Sequence, residues 1–241
     1  MSDSRFVNML PDQPPLKSIP PMPTMTKAAV QSRRHLRAIW IVGFVSFAFL
    51  FYYVTRPVVL RAHRNTPLTT ATTNAREIHQ ALMKFDAKHG SFPNGSTIAH
   101  VKGSSATSFS FGTKTSNDYF RQLLAEGLGN ERMFYPGYGP KPDNNWKGKR
   151  ALEKGECGFA YIVGLDSTMN SSSILAVTPL IPGTLRFDPK PFQGVAVILR
   201  MDGSATWMRI QPNGEVISDG KNILDPSHPV WGNPFTIAYP E

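Results

Sequence analysis

The sequence is poor in the residue patterns that carry simple catalytic or metal chemistry. Among 241 residues there is one cysteine, Cys157, so no internal disulfide is available and the fold depends on its hydrophobic core. His-Glu-x-x-His, paired cysteines and Gly-x-Ser-x-Gly are all missing, and no two of the six histidines are four residues apart. We therefore expect no enzymatic activity, no catalytic residue and no cofactor.

Acidic side chains are also scarce, with 17 against 26 basic ones and a net charge of +9. Six basic and two acidic side chains lie in residues 1–55, which leaves residues 56–241 with a net charge of only about +5. An excess of that size is typical of a soluble surface and not of a nucleic-acid site. We expect no nucleic-acid partner.

One long apolar run is present, from Ala38 to Val54, and it follows a basic cluster. About 20 apolar residues span a bilayer core, so this run is just long enough. A cleaved signal peptide is the competing interpretation, but residues 51–57 contain no small-x-small cleavage site. We predict an uncleaved single-pass signal anchor in contact with lipid. Its aromatic residues are Trp40, Phe44, Phe47, Phe51, Tyr52 and Tyr53.

The flanks of this run favour an N-terminus in the cytoplasm and a C-terminal domain outside it. Four basic residues precede the run and three follow it, and a large C-terminal part translocates largely regardless of charge. Residues 1–33 are rich in proline and predict a disordered cytoplasmic tail. Residues 34–64 then hold the anchor and a juxtamembrane helix, and residues 65–241 form one extracytoplasmic domain.

An amphipathic helix is predicted to open that domain, after a kink or interruption at Pro57 and Pro67. Its apolar residues recur at spacings of three and four, which places them on one stripe of a helix. They are Ala71, Ala75, Ile78, Leu82 and Phe85. Gly90 is suited to a left-handed cap at its end.

The second half of the domain has the period of strands. A short helix over Asn117–Glu126 comes first, and the segments bounded by Gly, Pro and Asn follow it. These are Gly158–Gly164, Ile174–Thr178, Val195–Arg200, Ala205–Ile210 and Glu215–Ile217. Asp202-Gly203 predicts a two-residue type I′ hairpin turn. The fold class is therefore α+β, with the amphipathic helix packed on an antiparallel sheet.

Two motifs resemble the type IV pilin and type II secretion pseudopilin superfamily. The first is the end of the amphipathic helix, carried by Asn74, Ile78, Ala81, Leu82, Phe85, Gly90, Phe92 and Pro93. The second is the strand, Asp-Gly-Ser, strand pattern in residues 195–210. The resemblance implies a pseudopilin-like domain in the bacterial inner membrane, with other membrane-anchored envelope or secretion proteins as partners.

The sequence departs from the prepilin pattern at the processing site. Gly43-Phe44 lies inside the apolar run, and the fifth position after that glycine is Ala48 and not glutamate. The resemblance therefore implies an ordinary uncleaved anchor. Major pseudopilins bind calcium in a C-terminal loop, which directs attention to Asp202, Asp219 and Asp225 in late turns. We expect these carboxylates to accept hydrogen bonds within their own turns, with calcium as the alternative.

A loop over residues 133–154 interleaves aromatic and basic side chains, which stack on rings and neutralise anions. They include Phe134, Tyr135, Tyr138, Trp146, Lys147, Lys149 and Arg150. The favoured interpretation is a loop whose aromatic residues anchor it over the sheet. Two functions follow: a non-enzymatic protein acting through protein–protein contacts in a secretion-related or envelope assembly, or a module that binds an anionic polymer or glycan through this loop.

Overall fold

The computed structural model describes residues 27–105, 107–145, 150–232 and 234–241. In the first helix it describes the side chains of residues 40, 42–52 and 67–89. Residues 1–26 of the predicted tail, three residues of the predicted interaction loop (Trp146, Lys147 and Lys149) and the side chain of Tyr53 lie outside this description. The chain divides between Pro57 and Val58 into two units, each of which is described by itself.

Helix α1, Lys27–His89, is assigned without a break through Pro57 and Pro67. The predicted interruption at these prolines is therefore wrong. A proline inside a helix costs about 3 kcal/mol, and the burial of the turns that follow Pro67 in the domain core offsets that cost. Residues 27–33, which we place in the disordered tail, belong to this helix. No proline interrupts the chain between Pro23 and Pro57, so the sequence allows a helix there.

The domain end of α1 presents one buried stripe. Every member of the predicted stripe is fully buried and belongs to the single core cluster that also contains the strands. Asn74 Nδ2 donates to the carbonyls of Arg132 and Tyr135, at 2.8 and 2.6 Å. Gly90 has a φ of 75° and donates to the carbonyl of Asp86, as the predicted left-handed cap requires.

Two shorter helices and a turn of 3-10 helix follow. They are α2 (Thr97–Ser104), α3 (Ser116–Ala125) and the 3-10 helix Glu131–Phe134. α3 begins one residue before its predicted start. A capping box between Thr115 and Asp118 caps its N-terminus. α2 lies where the sequence predicts no helix.

Five strands form an antiparallel sheet in the order β4-β3-β2-β1-β7. Their bounds are β1 Ala160–Val163, β2 Ile174–Thr178, β3 Val195–Arg200, β4 Ala205–Arg209 and β7 Thr236–Ala238. Successive residues of a strand point to opposite faces, and β2 is buried at every position. The centre of the sheet is therefore covered on both faces, whereas β4 is mostly exposed. The α+β class and the antiparallel sheet are confirmed.

The hairpin at Asp202-Gly203 forms, but its turn type differs from the prediction. Only Gly203 has a positive φ, of 80°, and its N–H donates to the carbonyl of Arg200 at 3.0 Å. Arg200 N–H in turn donates to the carbonyl of Ser204. This is a type I turn followed by a left-handed glycine, and the predicted type I′ turn is wrong because Asp202 keeps a negative φ.

The last predicted strand also needs correction. β5 is Ile217–Ser218 and pairs with β6, Lys221–Asn222, in a separate two-stranded sheet. The strand predicted at Glu215–Ile217 therefore does not extend the main sheet. One edge of that sheet is β7, which pairs with β1, and the other is β4.

Glu126, just after α3, ties three helices together. Its carboxylate accepts hydrogen bonds from Lys88 and Ser104 and lies 3.1 Å from His89 Nε2, and its side chain is 2% exposed. Burial raises the pKa of this carboxyl, but the hydrogen bonds and the neighbouring positive charges outweigh burial, so its pKa lies below the usual range. Residues at the C-terminal ends of α1 and α2 therefore contact the same buried carboxylate.

Candidate functional site

The first feature that calls for a partner is the apolar segment of α1. Every described side chain in residues 40–52 is exposed, including Trp40 at 77% and Phe44 at 74%. Phe47 and Phe51 stack on each other with ring centroids 6.3 Å apart. Within the described part of the chain, no helix combines the length and apolarity that a bilayer crossing requires. The anchor at residues 38–54 stays a prediction.

The loop at 133–154 places its aromatic residues against the domain. Phe134 is fully buried and stacks on Phe120, with centroids 4.6 Å apart. The Tyr138 ring meets Phe192 edge-on, and its hydroxyl lies 3.2 Å from that of Thr178. Burial raises the pKa of Tyr138 to about 12. These two rings anchor the loop and do not offer a stacking surface.

The remaining described members of the predicted interaction loop are Tyr135 and Arg150. Tyr135 is half-buried and accepts the Asn74 hydrogen bond through its carbonyl. Arg150 is exposed and lies 3.9 Å from Asp143 and 3.4 Å from Glu153, as an ion pair with each. Arg150, one of the described basic side chains of the loop, is therefore already matched by carboxylates.

Three carboxylates converge beneath this loop. Glu131, Asp143 and Glu156 each place an oxygen within 4.8 Å of the other two. Among the described residues this is the one group in which three metal-ligating side chains meet. Glu131 is fully buried, Glu156 is nearly so, and Asp143 is exposed. The group therefore reaches from the domain interior to the surface.

Main-chain donors organise two of these carboxylates. Glu131 Oε1 accepts from Leu152 N–H at 2.7 Å. Glu156 accepts from Asp143 N–H at 3.2 Å through Oε1, and from Glu153 N–H at 2.6 Å through Oε2. Sequence reasoning missed this group, because its members are far apart in the chain and follow no period. The only signal in the sequence was that all three residues are acidic.

A sheet edge forms the second exposed surface. Within the described part of the chain β4 pairs with β3 alone, so its outer side is an edge. Trp207 on β4 is 65% exposed. A shallow groove beside it is lined by Trp207 and by a face of α1 that carries Leu68, Thr69, Thr72, Thr73 and Arg76.

Side chains that often act as nucleophiles or bases have structural contacts here. Cys157 is buried, and burial raises the pKa of its thiol to about 11, so it is protonated at neutral pH. His79 Nε2 lies 2.9 Å from the carbonyl oxygen of Met201, in the turn after β3. His228 Nε2 lies 3.0 Å from the carbonyl oxygen of Ser218.

The late-turn aspartates mostly bond to their own turns. Asp202 accepts from Ser204 N–H, and Asp225 accepts from Ser227 N–H, each at 2.8 Å. Asp219 accepts from the hydroxyl of Ser218 at 3.1 Å. Asp219 Oδ2 also lies 4.0 Å from His228 Nε2, but in the described residues none of the three aspartates belongs to a group of three metal-ligating side chains.

Comparisons of the chain with protein-family models, curated proteins and solved structures found no match. The resemblance to pseudopilins stays a prediction that rests on the residues quoted for it.

Proposed function

We propose that this is a membrane-anchored, non-enzymatic protein that acts through protein–protein contacts of its C-terminal domain in a secretion-related or envelope assembly. The observation that carries the proposal is the change in character along α1. Its side chains at residues 40–52 are apolar and exposed, whereas the stripe from Ala71 to Phe85 is buried in an α+β domain. One helix thus offers apolar surface to a bilayer and contributes core to a folded domain.

The exposed segment supports the anchor on energetic grounds. Apolar surface left in water costs about 25 cal/mol per Å², so a run of exposed aromatic and aliphatic side chains requires a covering medium. A bilayer accepts such a run, and aromatic rings such as Trp40 and Tyr52 suit its interfaces. The sequence, the exposed segment and the helical backbone all favour the same interpretation.

The edge of β4 is the surface that best fits a protein partner. An unpaired strand edge exposes main-chain donors and acceptors that another chain can pair with. Trp207 adds a large exposed ring, the residue type most enriched among strong interface contacts. The proposed partners are other anchored envelope or secretion proteins.

The alternative, a binding module for an anionic polymer or glycan, has less support. Of the loop side chains proposed for it, Phe134 and Tyr138 pack into the domain, and Arg150 is paired with two carboxylates. Asp143 also lies close to two further carboxylates, those of Glu131 and Glu156, and such a group repels a polyanion.

Insertion is tested by placing a charge in the apolar segment. Phe47→Arg should reduce the membrane-bound fraction after carbonate extraction, because a central arginine costs about 2.5–3.5 kcal/mol on insertion scales. Phe47→Leu is the matched control and should stay in the membrane. A C-terminal reporter that works only outside the cytoplasm should be active. Equal extraction of both variants, or an inactive reporter on well-expressed protein, contradicts the anchor or its orientation.

Partner contact is tested by photo-crosslinking in cells. A photoreactive amino acid at position 207 should give discrete crosslinked bands that contain other membrane-anchored proteins. The same group at Asn213, which is also exposed, is the control for random collision. Identical band patterns from both positions would exclude the β4 edge as the contact surface.

A further inference from the structure

Glu131 is an unusual carboxylate because one of its oxygens is buried without a partner. The residue is fully buried, and its Oε1 takes the Leu152 N–H. Its Oε2 is one of three buried side-chain oxygens in the described residues that accept no hydrogen bond. A second of these is Oδ1 of Asn144, the neighbour of Asp143. Leaving a buried polar atom unpaired costs about 1–3 kcal/mol, and more when the group is charged.

The surroundings of Glu131 are negative. Oxygens of Asp143 and Glu156 lie within 4.8 Å of its carboxylate. Burial raises the pKa of Glu131, and repulsion from Glu156 and Asp143 raises it further, against the Leu152 hydrogen bond that lowers it. In the described part of the chain no basic side chain forms an ion pair with Glu131 or Glu156, since Arg150 pairs with Asp143 and Glu153. A bound cation would supply the positive charge that Glu131 and Glu156 do not receive from these side chains.

We propose that Glu131, Asp143 and Glu156 bind a calcium ion. All three donors are carboxylate oxygens, with no imidazole or thiolate among them, which favours a hard cation over zinc, copper or nickel. Oxygens bound to one calcium ion at about 2.4 Å lie at most about 4.8 Å apart, and the three oxygens of this group lie within that limit of one another. Calcium accepts irregular arrangements of carboxylate oxygens from flexible loops, whereas magnesium requires a near-ideal octahedron and usually keeps several waters, so calcium is the ion that we propose here.

The ion joins three separate parts of the chain. Glu131 opens the 3-10 helix, Asp143 lies in the loop at 133–154, and Glu156 precedes β1. Bound calcium therefore fixes the loop to the domain and gives the Glu131 carboxylate a second partner besides Leu152 N–H. This site differs from the late-turn aspartates, which mostly bond to their own turns, and it does not depend on the anchor or on any partner.

The test uses the full-length protein in detergent, stripped with a chelator and then titrated with calcium chloride alone. Calorimetry should show one ion per chain. At a calcium concentration about ten times the dissociation constant, the melting temperature should rise by about 3–6 °C, and the chelator should reverse the rise. If the three carboxylates share a proton instead, the wild-type protein neither binds calcium nor shifts at pH 7, and the proposal is overturned.

Matched variants assign the site. Glu131→Gln keeps an acceptor for Leu152 N–H and removes the charge, and it should weaken calcium binding at least tenfold. Asp143→Asn should do the same. Because Asp143 is exposed, this variant tests the site even if the change at the buried Glu131 impairs folding. Glu153→Gln removes an exposed carboxylate from the same loop and should leave affinity within twofold. Undiminished binding in both Glu131→Gln and Asp143→Asn refutes the assignment.

Discussion

The docking of α1 into the domain makes Phe85→Ala the most direct test of the fold. Phe85 is fully buried on the helix stripe, and its ring lies 4.4 Å from the imidazole of His89. Truncation of a buried Phe costs about 3–5 kcal/mol, from lost apolar burial and from the cavity left behind. For a domain of this length that loss lowers the melting temperature by about 6–20 °C. Since domains are stable by about 5–15 kcal/mol, the variant loses a large part of its stability.

The assay is thermal and urea unfolding of the full-length protein in detergent, followed by near-UV circular dichroism. Lys84→Ala changes the neighbouring residue, which is exposed, and should leave the midpoint almost unchanged. Phe85→Leu keeps most of the buried volume and should fall between the two. If Phe85→Ala has the midpoint of Lys84→Ala, the helix is not docked through this stripe, and both the fold and the pseudopilin resemblance lose their basis.

Three further predictions concern the buried carboxylate of Glu126, the turn glycine Gly203 and the buried thiol of Cys157. Because the folded pKa of Glu126 lies below its ordinary value of 4.5, its stabilising contribution is complete above that value and is lost as the pH falls through the folded pKa. Glu126→Gln should therefore flatten the acid loss of stability in urea titrations, and an unchanged pH profile contradicts this. Gly203→Ala should lower the free energy of unfolding by about 1–2 kcal/mol, because alanine is strained at a φ of 80°. The loss should be larger still, because the new Cβ lies 3.0 Å from the ring of His79. Gly164→Ala, with a φ of 93° and open space around it, is the control, and equal losses would show that the ring contact is without effect. Cys157, with its pKa raised to about 11, should react with a thiol reagent at neutral pH only as fast as the protein unfolds, and rapid labelling of the folded protein by mass spectrometry argues against its burial.

Elements whose pattern is local were predictable from the sequence. The α1 stripe repeats every three to four residues, and β2 and β3 are continuous apolar segments between turn residues, so both strands have the predicted bounds. The elements that were missed have no such local apolar pattern. β7 has only three residues and exists because it pairs with β1, far earlier in the chain. α2 begins just after a turn in which Asn94 Oδ1 accepts from the N–H groups of Ser96 and Thr97, and this turn follows no apolar period.

The hairpin turn shows a finer limit of sequence reasoning. Asp-Gly between two strands favours a hairpin under any of several loop lengths, and the choice among them is made by the surrounding contacts. Here His79 from α1 bonds to the carbonyl of Met201, and the Asp202 carboxylate accepts the N–H of Ser204. These two contacts hold a longer loop, in which only Gly203 needs a left-handed conformation.

The loop at 133–154 shows why the charge of a segment does not determine the charge of a site. Its composition is basic, which led to the hypothesis of a surface for anions. Folding brings in Glu131 from one side of the loop and Glu156 from the other, and places both beside Asp143. Interaction between charges falls with distance and strengthens with burial, so the two buried carboxylates of Glu131 and Glu156 interact more strongly at this point than exposed basic side chains such as Lys141 and Lys154, which water screens. The arrangement of the three carboxylates is therefore the basis for the cation site that we propose, and the basic composition of the loop did not predict it.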